Sequence, residues 1–372
     1  MTSGATTEFL GWNGNELELM TAPRYTRAGS TVIEVVAAGV CGTDLHVMRH
    51  TKIGTPKAPL SLGHEILGRV LRVGSGTPVL GNERVAEGDL VAVVPGIPCG
   101  RCTVCLSFGS HEHLCPQRVV HGFSTWRSDG KFAVGGYATH IELVDDVFVA
   151  RVPEGMPWQR AALSELTSIA VRATERALGQ GRPDLGMGTV VAGGAAVLGA
   201  GPVGTAVALV LKAAGADVLV FESNQWRADY ARERLNLDVQ LVSGDEWVTE
   251  AVRNSVGGLG FDVVVECGGS AELFVHALDL ARAGGRVVEL GNFISTGSAP
   301  VDPSVICRKD LEVVGSVLAP PAAYLKALRL LGRDDIPFDR VVSETLSLRE
   351  AAEPGRLLGP CSYMKRVIRP SA

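Results

Sequence analysis

The chain has no apolar run long enough to span a bilayer, and its first residues, Met1 to Glu8, carry neither the basic nor the apolar region of a secretion signal. No block of lysine or arginine occurs. The net charge of −5 and a pI near 5.9 exclude a general nucleic-acid or anionic-membrane surface and leave room only for a local anion pocket. Internal repeats and low-complexity linkers are also missing, and 20% charged against 46% apolar residues is too apolar a balance for disorder. The eight cysteines do not form the pattern of a disulfide framework, because four of them crowd between positions 99 and 115 of a 372-residue chain. These absences leave a folded, cytoplasmic protein whose partner is a small molecule, and its length implies two domains rather than one core.

What is present is organised around Val191 to Gly204. A run of small and apolar residues leads into Gly199-x-Gly201-Pro202-Val203-Gly204, and an apolar helical stretch follows. Strand, tight turn and helix in that order bring backbone N–H groups and a helix N-terminus against a pyrophosphate, with no side chain in the way. The next strand, Asp217 to Glu222, ends in a carboxylate 23 residues after Gly199. Glu222 would accept hydrogen bonds from both ribose hydroxyls and repel a 2′-phosphate, which favours NAD; Arg227 is the residue that could instead hold that phosphate. Strands are expected at 195–198, 217–222, 239–242, 261–266 and 286–290, with a sixth near 311–315, and helices at 203–214, 225–235, 246–256 and 270–282. That alternation predicts a doubly wound parallel sheet, with Gly268 and Gly291 at C-terminal strand ends where the nicotinamide half must sit.

The first 155 residues or so read differently, as short β-strands separated by loops. Within them Cys99-x-x-Cys102-x-x-Cys105, followed by Cys115, can face one centre and close a four-thiolate structural zinc site. An iron–sulfur cluster is the competing metal at this spacing, and His113 is a possible substitute ligand. Cys41 and His64, with Glu165 from the first helix of the following domain, would leave zinc one open position, as catalysis requires.

Four motifs occur in one order: Cys41-Gly42-Thr43-Asp44-Leu45-His46, Gly63-His64-Glu65, the four-cysteine lobe and the glycine turn. Together they resemble the zinc-dependent medium-chain alcohol and polyol dehydrogenases, in the sorbitol- and threonine-dehydrogenase-like branch. The resemblance implies a GroES-like catalytic domain over 1–160, a Rossmann domain over 161–295 and a return to the catalytic domain over 296–372. It implies two zinc ions per chain and NAD, with Cys41, His64 and Glu165 on the catalytic zinc. Glu65 would stand close enough to approach the metal, and Asp44 would orient a ligand such as His64. Thr43 would take the alcohol proton and pass it toward His46. Homodimers or homotetramers would form through edge strands of the nucleotide sheet.

Some features depart from the family pattern. Leu166 replaces the proline expected after Glu165, and nine residues rather than about seven separate Cys105 from Cys115. The stretch from Ala352 to Cys361 is rich in helix breakers where a helix is expected. Trp126, Arg127 and Tyr137 are expected to line the substrate pocket, with His50 and Lys131 as further candidates. A cation there would select a substrate bearing a carboxylate, phosphate or phosphonate. The implied activity is hydride transfer between NAD and a small secondary alcohol or polyol. A reductase working toward the alcohol, and a non-catalytic nucleotide-binding relative, are the alternatives.

Overall fold

The computed structural model describes residues 6–24, 29–50, 60–81, 83–107, 112–122, 135–144, 146–179, 194–244, 246–359 and 362–371. The chain divides into two compact units: Met1–Glu165 with Pro320–Gly332 and Val342–Ala372, and Leu166–Ala319 with Arg333–Val341.

In the first unit, β1 (Val32–Gly39) and β2 (Glu65–Arg72) pair antiparallel at the centre of a sheet, with helix α1 (Gly42–His50) directly after β1. The strand Leu90–Val93 extends the sheet beside β2, and β9 (Lys365–Ile368) extends it beside β1. Phe9, Leu10, Ile33, Val35, Leu62 and Ile66 are among the buried side chains of its core. Removing each such apolar side chain from water contributes roughly 1.5–3 kcal/mol.

Helix α2 (Ser164–Leu178) leads toward the second unit. That unit holds, in chain order, β3 (Ala195–Leu198), α3 (Pro202–Ala213), β4 (Val218–Glu222), α4 (Gln225–Leu235), β5 (Asp238–Leu241), α5 (Trp247–Asn254), β6 (Phe261–Glu266), α6 (Ala271–Leu280), β7 (Ala281–Glu289) and β8 (Glu312–Gly315). Among the described residues these strands form one parallel sheet in the order β5-β4-β3-β6-β7-β8. The order reverses direction at β3, which is the switch point where an open α/β sheet opens a crevice at its carboxyl edge. Phe221, Trp247 and Phe261 pack below it, with ring centroids 4.9 and 5.9 Å from Phe221.

Three expectations change. The chain does not leave the second unit at 296: β8 still pairs with β7, and the return begins at Pro320 with α7 (Pro321–Leu331), before Arg333–Val341 rejoins the second unit. The first helix of the following domain, expected to carry Glu165, is two helices, Trp158–Ala161 and then α2, with Glu165 in the second. Among the described residues after Val342 the tail holds only a single helical turn, Leu348–Ala351, closed by a Ser347–Glu350 capping box; the glycines and prolines after it cannot sustain more.

Candidate catalytic metal centre and nucleotide site

Three side chains of the first unit come together at the end of the central strand pair. Cys41 follows β1, His64 precedes β2 and Glu65 opens it, so the antiparallel pairing of Gly39 with Glu65 brings them side by side. One ligand atom from each of Cys41, His64 and Glu65 lies within 4.8 Å of the others. Glu165, the expected third ligand, is not in this group among the described residues. It is buried nearby at the start of α2, and its carboxyl is pushed up to about 7, first by burial and then by the charge of Glu65.

Asp44 lies beneath them with no exposed surface. Its Oδ1 is 3.3 Å from His64 Nδ1, and its Oδ2 accepts from the Cys41 N–H at 3.0 Å and the Tyr137 hydroxyl at 2.7 Å. Burial works against both charged forms. The His64 ring nevertheless holds Asp44 below the usual carboxylate range, and Asp44 and Cys41 hold the imidazole well above its ordinary value. A carboxylate set against Nδ1 favours the ring proton there and leaves Nε2 as the lone-pair nitrogen, the arrangement a metal-ligating histidine uses.

Tyr137 is fully buried. It serves Asp44 rather than lining a pocket, because a phenol enclosed on every side must spend its hydroxyl on a buried acceptor. Thr43 and His46 are half-buried on α1, three residues apart and therefore on one helix face. Trp126, Arg127 and Lys131 lie outside the described residues, as does the His50 side chain.

Sequence reasoning passed over Lys365. It opens β9, with Nζ 2.6 Å from Glu65 Oε1 and 3.0 Å from the Val40 carbonyl. Two cations, Lys365 and Arg366, in a strand of four buried residues were the signal. The other Glu65 oxygen, Oε2, is buried with no hydrogen-bond partner. An acceptor left bare beside a thiol and an imidazole fits a cation at this centre.

The lobe cysteines also fit zinc. Sγ of Cys102 is 3.5 Å from that of Cys105 and 3.7 Å from that of Cys115, and Cys99 Sγ is 4.0 Å from Cys105 Sγ. Tetrahedral ligands with metal–sulfur bonds of ~2.3 Å stand ~3.8 Å apart. Cys115 also accepts from the Cys99 N–H at 3.4 Å, so the longer interval before it does not remove it from the cluster.

In the second unit Gly199 has φ 98°, a backbone that L side chains rarely adopt. A Cβ on Gly204 would overlap the Gly199 carbonyl oxygen, so helix α3 can start this close to the strand only at glycine. Gly201 is the N-cap and Pro202 and Val203 open the helix. Glu222 Oε2 accepts from the Ala200 N–H at 2.7 Å, and Oε1 accepts from Ser223 and Asn224 at 2.8 and 2.7 Å, fixing the carboxylate beside the turn. The Arg227 guanidinium also reaches this turn: a Cβ on Gly201 would lie 3.6 Å from Nη1.

Residues 27–154 match the alcohol dehydrogenase GroES-like domain and residues 202–333 the zinc-binding dehydrogenase domain, together more than half of the chain. The chain belongs to the zinc-dependent medium-chain alcohol and polyol dehydrogenases. This dehydrogenase is 29% identical to 5-exo-hydroxycamphor dehydrogenase of Pseudomonas putida, over 95% of its own length and 96% of the relative's. It is 26% identical to sorbitol dehydrogenase of Bacillus subtilis, over 92% and 90%. In fold it matches an alcohol dehydrogenase from Thermotoga maritima with a TM-score of 0.83 at 24% identity, covering 99% of this chain and 100% of that one. As a member of this family it is a zinc-dependent oxidoreductase that moves a hydride between an alcohol and a carbonyl. No described helix is long and apolar enough to cross a membrane.

Proposed function

We propose that the enzyme is a cytoplasmic NAD-linked dehydrogenase of small secondary alcohols or polyols, with its catalytic zinc held by Cys41, His64 and Glu165 and with Glu65 as the neighbouring carboxylate. The observation that carries this reading is the convergence of Cys41, His64 and Glu65 over a buried Asp44. When bound, zinc supplies Lewis acidity toward the substrate oxygen, which favours the hydride transfer in either direction. Asp44 fixes the His64 ring, and Tyr137 and the Cys41 N–H fix Asp44. Lys365 holds one oxygen of Glu65, leaving the other turned to the cluster. Thr43 and His46, on one face of α1, are the residues we assign to the passage of the alcohol proton toward solvent.

Glu222 beside the glycine turn supports NAD. Arg227 supports a second reading, NADP, because its Nε is buried without a partner and its guanidinium overlies Gly201. The sorbitol dehydrogenase relative supports a polyol as substrate. The edge strand β8, exposed at three of its four positions, supports homodimers or homotetramers built by strand pairing. The structural-zinc reading of the lobe rests on its four thiols.

The test is metal analysis together with an absorbance screen of NAD and NADP against polyols, secondary alcohols, amino alcohols and alcohols carrying phosphate, phosphonate or carboxylate. Two zincs per chain and NAD-coupled turnover are expected. Cys41→Ala should lose one zinc and at least about 10³-fold in turnover, given how much of the chemistry the metal supplies. Turnover left intact in that variant would overturn the reading.

A further inference from the structure

Two carboxylates stand side by side where the nucleotide sheet ends. Glu266 closes β6 and Glu289 closes β7, and they are register partners in the parallel ladder, so their side chains project to the same face. Glu266 has no exposed surface. Its Oε1 accepts from the Gly268 and Gly269 N–H groups, both at 2.7 Å. Glu289 Oε1 accepts from the Asn292 backbone N–H and from Asn292 Nδ2, both at 3.0 Å, and the same Nδ2 lies 3.4 Å from Glu266 Oε2. Each carboxylate thus holds one of two turns, Gly268–Gly269 and Gly291–Asn292, and the turns touch: a Cβ on Gly269 would lie 2.8 Å from the Gly291 carbonyl oxygen. The first turn also packs on the glycine motif, since a Cβ on Gly199 would lie 3.1 Å from the Gly268 Cα.

The remaining oxygen, Glu289 Oε2, is buried with no hydrogen-bond partner. A second full negative charge against Glu266 would leave that acceptor bare and set like charges together out of water. One proton carried on Glu266 Oε2 cures both faults, because Oε1 is already occupied by its two N–H donors and a protonated carboxyl can donate to Glu289. The direction agrees: burial first, then Glu289, pushes the Glu266 carboxyl up to about 7. Among the described residues, the other groups facing the pair do not offset its charge. Cys267, on the same strand end, has its thiol pushed well up by burial and by both carboxylates and stays neutral. From β3 the neighbour is the Leu198 carbonyl, which accepts from the Cys267 N–H, and beyond β7 it is Ser316, whose N–H bonds to the Glu289 carbonyl; neither titrates.

We propose that Glu266 and Glu289 are positioning residues for the pyridine nucleotide, sharing one proton that joins the two turns and keeps the charge beside the cofactor at −1. This rests on the reading of those turns as part of the cofactor site. Loss of the shared proton doubles the negative charge and separates the turns, so affinity for the cofactor is full at low pH and falls as pH rises through the titration of the pair. Neither carboxylate touches the hydride in this scheme; both act through backbone N–H groups and Asn292.

The experiment is a fluorescence titration of the zinc-loaded, full-length enzyme with NADH, and with NADPH if NADH fails to bind, at intervals from pH 5.5 to pH 9. Wild type is expected to weaken by about tenfold across the range, the effect of a one-unit difference in the pair's pKa between bound and free enzyme. Glu289→Gln replaces the shared proton with an amide donor and should bind at every pH as wild type does near pH 6. Glu266→Gln is the second variant and should flatten the profile in the same way, a change that a merely structural loss of affinity at all pH values would not produce. A wild-type profile that is already flat, or variants that keep the wild-type slope, overturns the shared proton while leaving the cofactor site standing. Failure of wild type to bind either nucleotide overturns the cofactor reading and the proposal with it.

Discussion

Lys365 and Glu65 form an ion pair with 2% and 1% of their side chains exposed, one contributed by the last strand of the chain and the other by the start of β2. Burying two charges costs several kcal/mol each, so the pair adds little net stability, but losing one partner strands the other. Lys365→Met should therefore destabilise the metal-stripped protein by about 3–5 kcal/mol in urea unfolding, and adding Glu65→Gln should recover much of that loss. His121 shows the same logic with one group. Its ring is buried and its pKa is pushed down to about 4 by burial, against 6.5 in the unfolded chain. A depressed folded pKa contributes stability that is present above pH 6.5 and lost as pH falls toward 4. The gap is worth about 3 kcal/mol. Urea unfolding of wild type and His121→Gln over that range should show the variant losing less stability by roughly this amount.

Helix α3 and the strand before it are joined so tightly that one methyl group decides their geometry. Gly204→Ala would press a Cβ onto the Gly199 carbonyl oxygen, which is backbone and cannot swing aside. We expect a loss of about 1–3 kcal/mol in stability, the usual penalty for overpacking, and cofactor binding weakened by about tenfold or more, read by NADH titration. These elements were also the most legible ones. The turn at Gly199–Gly204 and the alternation of strands and helices through β7 depend on neighbours a few residues apart, and the observed bounds fall within a few residues of those expected. The exception is β7, which begins at Ala281 rather than near 286 because Phe261 pairs with Ala281 before a register shift. An irregular pairing of that kind leaves no mark in hydrophobic spacing.

At the scale of the whole molecule the two metal readings differ in how the metal leaves. A site of two or three protein ligands has an open position and yields to a chelator, whereas four thiolates close their metal off. Dialysis against a small chelator should remove one zinc per chain and all turnover with little change in the thermal midpoint. Displacing the second zinc with an organomercurial should lower that midpoint by several degrees, because binding there is coupled to the folding of the lobe. Metal analysis and a thermal melt at each stage check both steps.

The glycine turn, the Cys99-x-x-Cys102-x-x-Cys105 run and the two-domain alternation were set by the sequence alone, since each depends on backbone freedom or ligand spacing over a short stretch of chain. The tertiary structure alone decided that Glu65 stands within reach of Cys41 and His64, that Tyr137 is sealed beneath Asp44, and that the chain re-enters the first unit at Pro320. It alone brought Lys365 to Glu65, residues 300 positions apart, and paired Glu266 with Glu289. Periodicity records which face of an element is buried but not which distant element covers it. A buried charge finds its partner only when the sheet has closed around both.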